Sequence, residues 1–448
     1  MCHLFLPLVL VAAALLAPGL CRGADGVVEV GALLPLTGGY APHGLTGQQA
    51  LTLAEEAINA HGGIKGRPVR FVVADTASDP AIGLVAARQL VEERRVAALM
   101  GGHSSAVAEE VGEMMVTRRF PFLITSATAD RLTDPATYTP PGRRLASLRR
   151  EIVSAKGGER TRLAAQISLV AQQADHEGNA LAPHFTLFRI APLASDGDEG
   201  VASFLTAVAH PRSAMIVYER SLAGGARAAQ FALTLKRLGI PLLTSLPYNP
   251  AGADFRPLLH HIRKETPDLL YVVAQGIDAP LFMRQGAELG IAPRLIVGAG
   301  EGFADDTYGE RAAGAGDAVF VSPPWTPRFP WPGAKEFADD YRRRFGNIPD
   351  HHGAQVYAGA LVMADALNRA TGLEPRQVTE ALRATDLMTP FGPIMFERRG
   401  KGLQQNRPVP LLLQWLAGKP KIVWPQSYAE APYVYPIDWL RGREGDNW

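Results

Sequence analysis

The sequence predicts an α/β fold of two similar lobes, with a helical hairpin inserted into the first. Three observations carry that expectation. An alternation of strand and helix runs from Val28 to Thr133 and begins again near Ser213. The strands are short, continuous apolar runs, the pattern of parallel strands covered on both faces. The chain has 448 residues, of which 47% are apolar and 20% charged, enough core for more than one domain.

The first residues read as an export signal. Leu4 to Leu16 is an apolar run, Pro18 and Gly19 break it, and the small residues Gly23 and Ala24 follow. Such a run is too short to span a bilayer, so residues 1–23 are expected to be cleaved and the protein to be periplasmic. The start, Met1 to His3, lacks the usual basic residue. Cleavage removes both cysteines, Cys2 and Cys21, leaving no disulfide and no thiol ligand for a metal. The alternative, lipid anchoring at Cys21, meets Leu20 where a small residue is wanted. A net charge of +1 and scattered aromatics exclude a general nucleic-acid binder.

Val28 to Leu34 is the first strand, followed by a loop rich in Gly and Thr from Thr37 to Gly47. Ala50, Leu53, Ala54, Ala57 and Ile58 then share one helical face, and Gly62 and Gly63 stop that helix. The next strand covers 69–73. Asp79 and Pro80 supply an N-cap and a first-turn proline for a helix that buries Ala86, Leu90 and Val91. A strand over 96–100 meets Gly101 to Ser105, a helix covers 106–116, and a strand over 120–124 ends in Thr125, Ser126, Ala127 and Thr128. Two strands thus finish in loops of small hydroxyl residues. Ligands of open α/β sheets sit at such carboxyl ends, and the helix after Ser105 aims free backbone N–H groups there. Ordinary capping is the plainer account of the same residues.

Residues 135–183 form an insertion. Leu145, Leu148 and Ile152 fall at helical spacing, as do Leu163, Ile167 and Val170, with Gly157 and Gly158 between the two sets. This is an αα-hairpin, basic in its first part. Its plain role is a solvated face packed on the first lobe; a docking arm or lid is the alternative. The second alternation has strands at 214–218, 242–246, 269–274 and 295–298. Three helices follow Trp325, with Asp350 capping the middle one. The tail is β-like, over 394–396, 411–416 and 422–424.

Two further chemistries were weighed from the residues. Gly102 to Ala106 nearly spells a nucleophile elbow, which would make the protein a secreted serine hydrolase. However, His61 and the two following glycines close a helix instead of following a strand, and Ala106 stands where the last elbow glycine belongs. The pairs His260/His261 and His351/His352 suggest metal ligands, yet helix neighbours face different ways. No metal and no cofactor are expected.

Gly62 to Gly66, Asp75 with Asp79 and Pro80, Ile124 to Thr128 with Leu132 and Thr133, Gly300 to Gly302, and Pro349 with Asp350 together resemble the periplasmic Leu/Ile/Val-binding proteins of branched-chain amino acid ABC transporters. The resemblance spans about 27–133 and 185–425. It implies the type I periplasmic binding fold, two Rossmann-like lobes joined by a hinge, and no enzymatic activity. Lobe one is then 27–191 with 323–392, and lobe two is 192–322 with 393–425. Residues 426–448 remain as a loose C-terminal strap, and the crossovers fall near 192–200, 322–332 and 392–402. The ligand is a small amino acid or related molecule, and the partner a membrane ABC permease. A ligand-sensing regulatory role on the same fold is the alternative.

By the same resemblance, Ser105 and Thr128 hold a ligand carboxylate. The carbonyl of Ser126 or Ala127, with the Thr128 hydroxyl, meets an α-ammonium whose counter-charge is Glu301. Tyr40 covers the ligand, and Gln275 lines the second lobe. The chain departs from the family at Ala77 and His103, near where some relatives carry a disulfide, and after Tyr218, where an aromatic is missing.

Overall fold

The computed structural model describes residues 26–196, 198–250, 254–305 and 307–437. The signal segment 1–23, the possible anchor Cys21 and the strap beyond 437 lie outside the described residues.

In chain order the first part comprises β1 (Val28–Leu34), α1 (Ala41–Ala60), β2 (Val69–Asp75), α2 (Pro80–Arg88), β3 (Leu99–Gly101), α3 (Ser105–Arg118), β4 (Phe122–Ile124), α4 (Pro140–Ser154), α5 (Gly157–Leu181) and β5 (Leu187–Arg189). The second part comprises α6 (Glu199–Phe204), β6 (Ala214–Glu219), α7 (Leu222–Leu238), β7 (Leu242–Tyr248), α8 (Arg256–Glu265), β8 (Leu269–Val273), α9 (Asp278–Leu289), β9 (Leu295–Ala299), α10 (Glu301–Ala304), α11 (Tyr308–Ala312) and β10 (Phe320–Val321). The chain then returns through α12 (Ala334–Phe345), α13 (His351–Arg369), α14 (Pro375–Arg383), β11 (Asp386–Thr389), β12 (Gly392–Met395), β13 (Glu397–Arg399) and β14 (Gly402–Gln405). It ends with β15 (Leu412–Leu416) and β16 (Lys419–Trp424).

These strands make two seven-stranded sheets, one per lobe, in the orders β13-β14-β5-β4-β3-β1-β2 and β16-β15-β10-β9-β8-β6-β7. Strands β1 to β5 pair in parallel, as do β6 to β10. In each sheet the order reverses beside its first strand, between β1 and β3 and between β6 and β8. Alternation along β1 shows what the reversal does. Val28, Val30, Ala32 and Leu34 pack with Ala50, Leu51, Ala54 and Ile58 of α1 and with α13. Leu33 points the other way, into a core shared with α2 and α3. The two helices that flank the switch point therefore cover opposite faces of the sheet, and a crevice opens between their starts.

Three expectations need correction. The loop expected to run to Gly47 ends earlier, because α1 starts at Ala41 with Pro42 in its first turn. Its early glycines permit close packing instead of marking a loop. A Cβ on Gly44 would lie 1.9 Å from the Pro35 carbonyl oxygen, and one on Gly47 would press on Val356 and Leu34. Second, residues 393–425 do not all belong to lobe two. The hairpin β13–β14 joins the first sheet, with Gln405 paired to Arg189, so the third crossing lies at 406–411. Glu397, Arg398 and Arg399 read as a charged linker, but charge is also how an edge strand is protected. Third, the strap is tied down as far as Ile437. The buried Gln414 amide donates to Val434 O and accepts from Val434 N, and the Tyr435 hydroxyl donates to Ala209 O at 2.6 Å.

The insertion is the expected hairpin. Leu148, Ala155 and Leu163 form its own small core, with Ile152, Ile167 and Val170 around it. Its base is held to the first lobe by Arg143 with Glu113 (2.8 Å) and by Lys401 with Asp175 (2.6 Å), and is closed on itself where Gly178 seats on the Ala136 backbone. The basic residues Arg149, Arg150, Lys156, Arg160 and Arg162 are solvent-exposed.

Two glycines separate close packing from helix propensity. Gly44→Ala should destabilise the fold by about 1–3 kcal/mol or more, the scale of overpacking a tight contact. Gly158→Ala in α5, whose Cβ would meet nothing within 4 Å, should be neutral or stabilise by up to about 1 kcal/mol. Urea unfolding of both variants checks the pair.

Candidate functional site

The crevice at the β1/β3 switch point is built by short, well-anchored loops. Asp75, at the end of β2, accepts hydrogen bonds from Leu36 N (2.8 Å), Thr37 N (3.2 Å), the Thr37 hydroxyl (2.6 Å) and Ala77 N (2.8 Å). Burial pushes its carboxyl up, but these donors outweigh burial and hold it below the usual range. The loop after β1 is thus fixed to the next strand. Tyr40 closes it, with its N–H on the Ser78 hydroxyl and its ring 4.8 Å from that of His103.

Four histidines meet here from three parts of the chain. His43 lies in the first turn of α1, His103 in the loop between β3 and α3, and His351 and His352 open α13. The ring centroids of His43 and His103 are 5.1 Å apart, those of His43 and His352 4.7 Å, and those of His103 and His352 4.3 Å. Asp350 joins the elements. It caps α13 by accepting from Gly353 N (2.8 Å), and its other oxygen lies 2.8 Å from Nδ1 of His43. Its carboxyl sits below the usual range, because the His43 and Gly353 bonds outweigh burial. His43 is raised, first by that hydrogen bond, against burial, with the charges of Asp350 and Glu301 adding to it. Burial, then the fields of His43 and His351, push His103 down to about 4. Burial also takes His351 to about 4 and His352 well below its ordinary value. Three of these imidazoles are therefore neutral near pH 7.

The residues singled out from sequence fall around this cluster. Ser105 is the first residue of α3, and its hydroxyl accepts from Ala129 N (3.2 Å), linking the two hydroxyl loops. Ala127 N donates to Gly102 O (3.0 Å) and so sits on the same seam. Ser126 is buried with its hydroxyl on that of Thr125 (3.4 Å), whereas Thr128 is exposed. The Thr128 carbonyl accepts from Ala194 N (2.8 Å) at the first crossing between lobes. In the second lobe, Glu301 opens the four-residue α10 after Gly300, and its N–H donates to Gln275 Oε1 (3.0 Å). Gln275 therefore orients the acidic turn. Of the second-lobe groups, Glu301 is the one whose charge adds to the rise of His43.

Sequence reading missed His43, His103 and His352 as a group. Local spacing held no signal for the group, since the partners of His352 lie 309 and 249 residues away (numbers 43 and 103 against 352). The exposed pair His260/His261 on α8 makes no such cluster.

Comparison with known proteins agrees with this architecture. The family model described as periplasmic binding protein matches residues 27–160 and 155–411. A Leu/Ile/Val-binding protein homolog 7 of Brucella melitensis is 26% identical over 93% of this chain and 96% of its own length. Among solved structures, the branched-chain amino acid transporter substrate-binding protein LivJ of Streptococcus pneumoniae, in complex with isoleucine, superposes with a TM-score of 0.59 at 19% identity. It covers 89% of this chain and 100% of its own. An ABC transporter solute-binding protein of R. palustris, in complex with benzoate, has a TM-score of 0.59 at 19% identity, covering 92% and 98%.

Beneath the Thr125–Thr128 loop lies a fully buried cation. Arg189 donates from Nε to Gln405 Oε1 (2.5 Å), from Nη1 to Ala129 O (2.6 Å) and from Nη2 to the Thr133 hydroxyl (3.5 Å). Burial lowers its guanidinium to about 10. Arg189→Leu strips these acceptors of their donor at about 1–3 kcal/mol for each group left buried and unpaired. The variant should lose at least about 2 kcal/mol in urea unfolding, with faster amide exchange at residues 125–133.

Proposed function

We propose, from the premise that this chain belongs to the periplasmic binding protein family, that it captures a small carboxylate-bearing solute between its lobes and presents it to a membrane ABC permease. The proposal includes export to the periplasm with loss of residues 1–23, and no turnover of the ligand. Among the described residues no helix is long and apolar enough to cross a membrane.

What supports this reading is the chemistry the two lobes carry, an acidic turn at Glu301 after β9 in one and hydroxyl-bearing strand ends in the other, with the Glu301 charge acting on His43. A zwitterion removed from water must keep hydrogen bonds or counter-charges at both ends. Free N–H groups at the start of α3, with Ser105 and the exposed Thr128, suit the carboxylate. Glu301 suits an ammonium. The isoleucine held by the Streptococcus pneumoniae relative has this chemistry.

A second reading is supported by the rings themselves. Tyr40, His43, His103 and His352 form an aromatic wall on the first lobe, and a flat acid stacks on such a wall with no need of an ammonium partner. The benzoate held by the R. palustris relative is of that kind.

Thermal shift over amino acids and aromatic acids, followed by calorimetry on Glu301→Gln, tests both. For an α-amino acid the variant should lose about a hundredfold or more in affinity, since breaking a buried charge pair costs about 3–5 kcal/mol. Affinity for an amino acid that survives the change overturns the ammonium role of Glu301. A wild-type melting point that no compound raises would count against capture of either class.

A further inference from the structure

We propose that His43, His103 and His352 form a three-imidazole site for a divalent transition-metal ion of the zinc class, with its fourth position open toward the second lobe. The three-histidine site stands on first-lobe geometry alone; only the assignment of the fourth position rests on the cleft reading above.

Each of the three residues offers one ring nitrogen, and these nitrogens lie within 4.8 Å of one another. A tetrahedral zinc site, with bonds of about 2.0–2.1 Å, places its ligand atoms about 3.3 Å apart. Side-chain rotation of about an ångström per ring closes the difference. The support around the rings is what a metal site requires. A ligating histidine commonly gives its other ring nitrogen to a carboxylate, which fixes tautomer and ring plane. His43 does so, with Nδ1 on Asp350 at 2.8 Å, which leaves Nε2 for the ion, and Asp350 is itself fixed by Gly353 N.

His352 supplies an independent sign. Its Nδ1 is buried and makes no well-formed hydrogen bond among the described residues; the Gln355 side chain, one turn along α13, acts on the ring only as a weak partner. A native structure rarely leaves a buried imidazole nitrogen unmatched without a reason. His352 meets the other two rings edge-on while His43 and His103 lie stacked, so the three in-plane lone pairs converge on one ion after rotation of the stacked rings. A divalent ion meets all three at once. Across the gap, the Glu301 carboxylate makes no ion pair or side-chain hydrogen bond among the described residues, yet acts on His43 through space. On closure it can take the fourth position itself, or yield it to the carboxylate of an incoming solute. The imidazole-rich donor set favours zinc, nickel or copper over magnesium or calcium.

The test uses the full chain, purified without a polyhistidine tag and stripped with EDTA. Titration with zinc chloride should saturate at one equivalent. Cobalt chloride should give the strong visible absorption of a tetrahedral, nitrogen-bound ion. His103→Gln and His352→Gln should each weaken zinc at least a hundredfold, and Asp350→Asn by ten- to a hundredfold. His260→Gln with His261→Gln, on the exposed face of α8, should change nothing. The wild-type cobalt spectrum keeps the test valid even if a glutamine variant folds poorly. Zinc binding that fails to saturate, or that is equal in wild type and in the triple variant of His43, His103 and His352, overturns the site. Amino acids or aromatic acids that raise the melting point in EDTA, with no zinc bound by the same protein, overturn the metal and leave the solute-binding reading standing. Zinc bound at one equivalent with no response to any solute does the reverse.

Discussion

Adjacent parallel strands that send their following helices to opposite faces of a sheet cannot fill the space between those helices. This constraint decides where the chemistry of the first lobe lies. Leu33 faces the α2/α3 side, while its neighbours Ala32 and Leu34 face α1 and α13. The loops after β1 and β3 are therefore left side by side with no helix over them. His43 and His103 stand at the two lips of that opening. α13 returns from far along the chain to lay its N-terminus across it, which brings His352 and Asp350. A crevice that any open α/β sheet possesses becomes specific through what these three elements carry.

The polar groups of the crevice are affordable only because nearly all are already bound. Asp75 takes three donors from the first loop and a fourth from Ala77 of its own, and Asp350 serves a helix cap and an imidazole at once. Arg189 answers the carbonyl of Ala129 from below. Burial keeps His103 and His351 neutral, so the cluster avoids the repulsion of several imidazolium ions in one place. His352 is the exception, with a buried nitrogen unmatched.

The fold was legible because its information is local. Apolar strands and helical faces repeat at fixed spacings, and Asp79 and Pro80 start α2 as their types require, with the Asp79 carboxylate accepting from Ala81 N and Ile82 N. Where the reading failed, one residue type serves two physical ends. Gly44 and Gly47 looked like loop residues, but they let α1 lie against Pro35 and Val356. Glu397 to Lys401 looked like a linker, yet the same charges suit an edge hairpin pairing beside β5. Ser105, Ala127, Thr128 and Glu301 were singled out through motif order. The pair His351/His352 carried a local signal that was set aside, but nothing local joined it to His43 and His103. These histidines are linked only by the switch-point geometry and the return of α13, so no window of sequence contains them together.

The two lobes contribute unequally to any capture event. First-lobe groups are held by hydrogen bonds to other parts of the same lobe, so a ligand meeting them costs little reorganisation. The second lobe offers a short helix of four residues, opened by an exposed Glu301 whose N–H leans on Gln275. Contacts to Glu301 exist only when the lobes approach. A ligand biases closure only by the free energy it gains from groups absent in the open form. On the proposed reading, the first lobe sets which chemistry is admitted, while the acidic turn converts admission into closure. Three crossing segments, 190–198, 322–333 and 406–411, join the sheets. They confine that motion to a hinge, because three short covalent ties permit rotation of one sheet against the other far more readily than sliding.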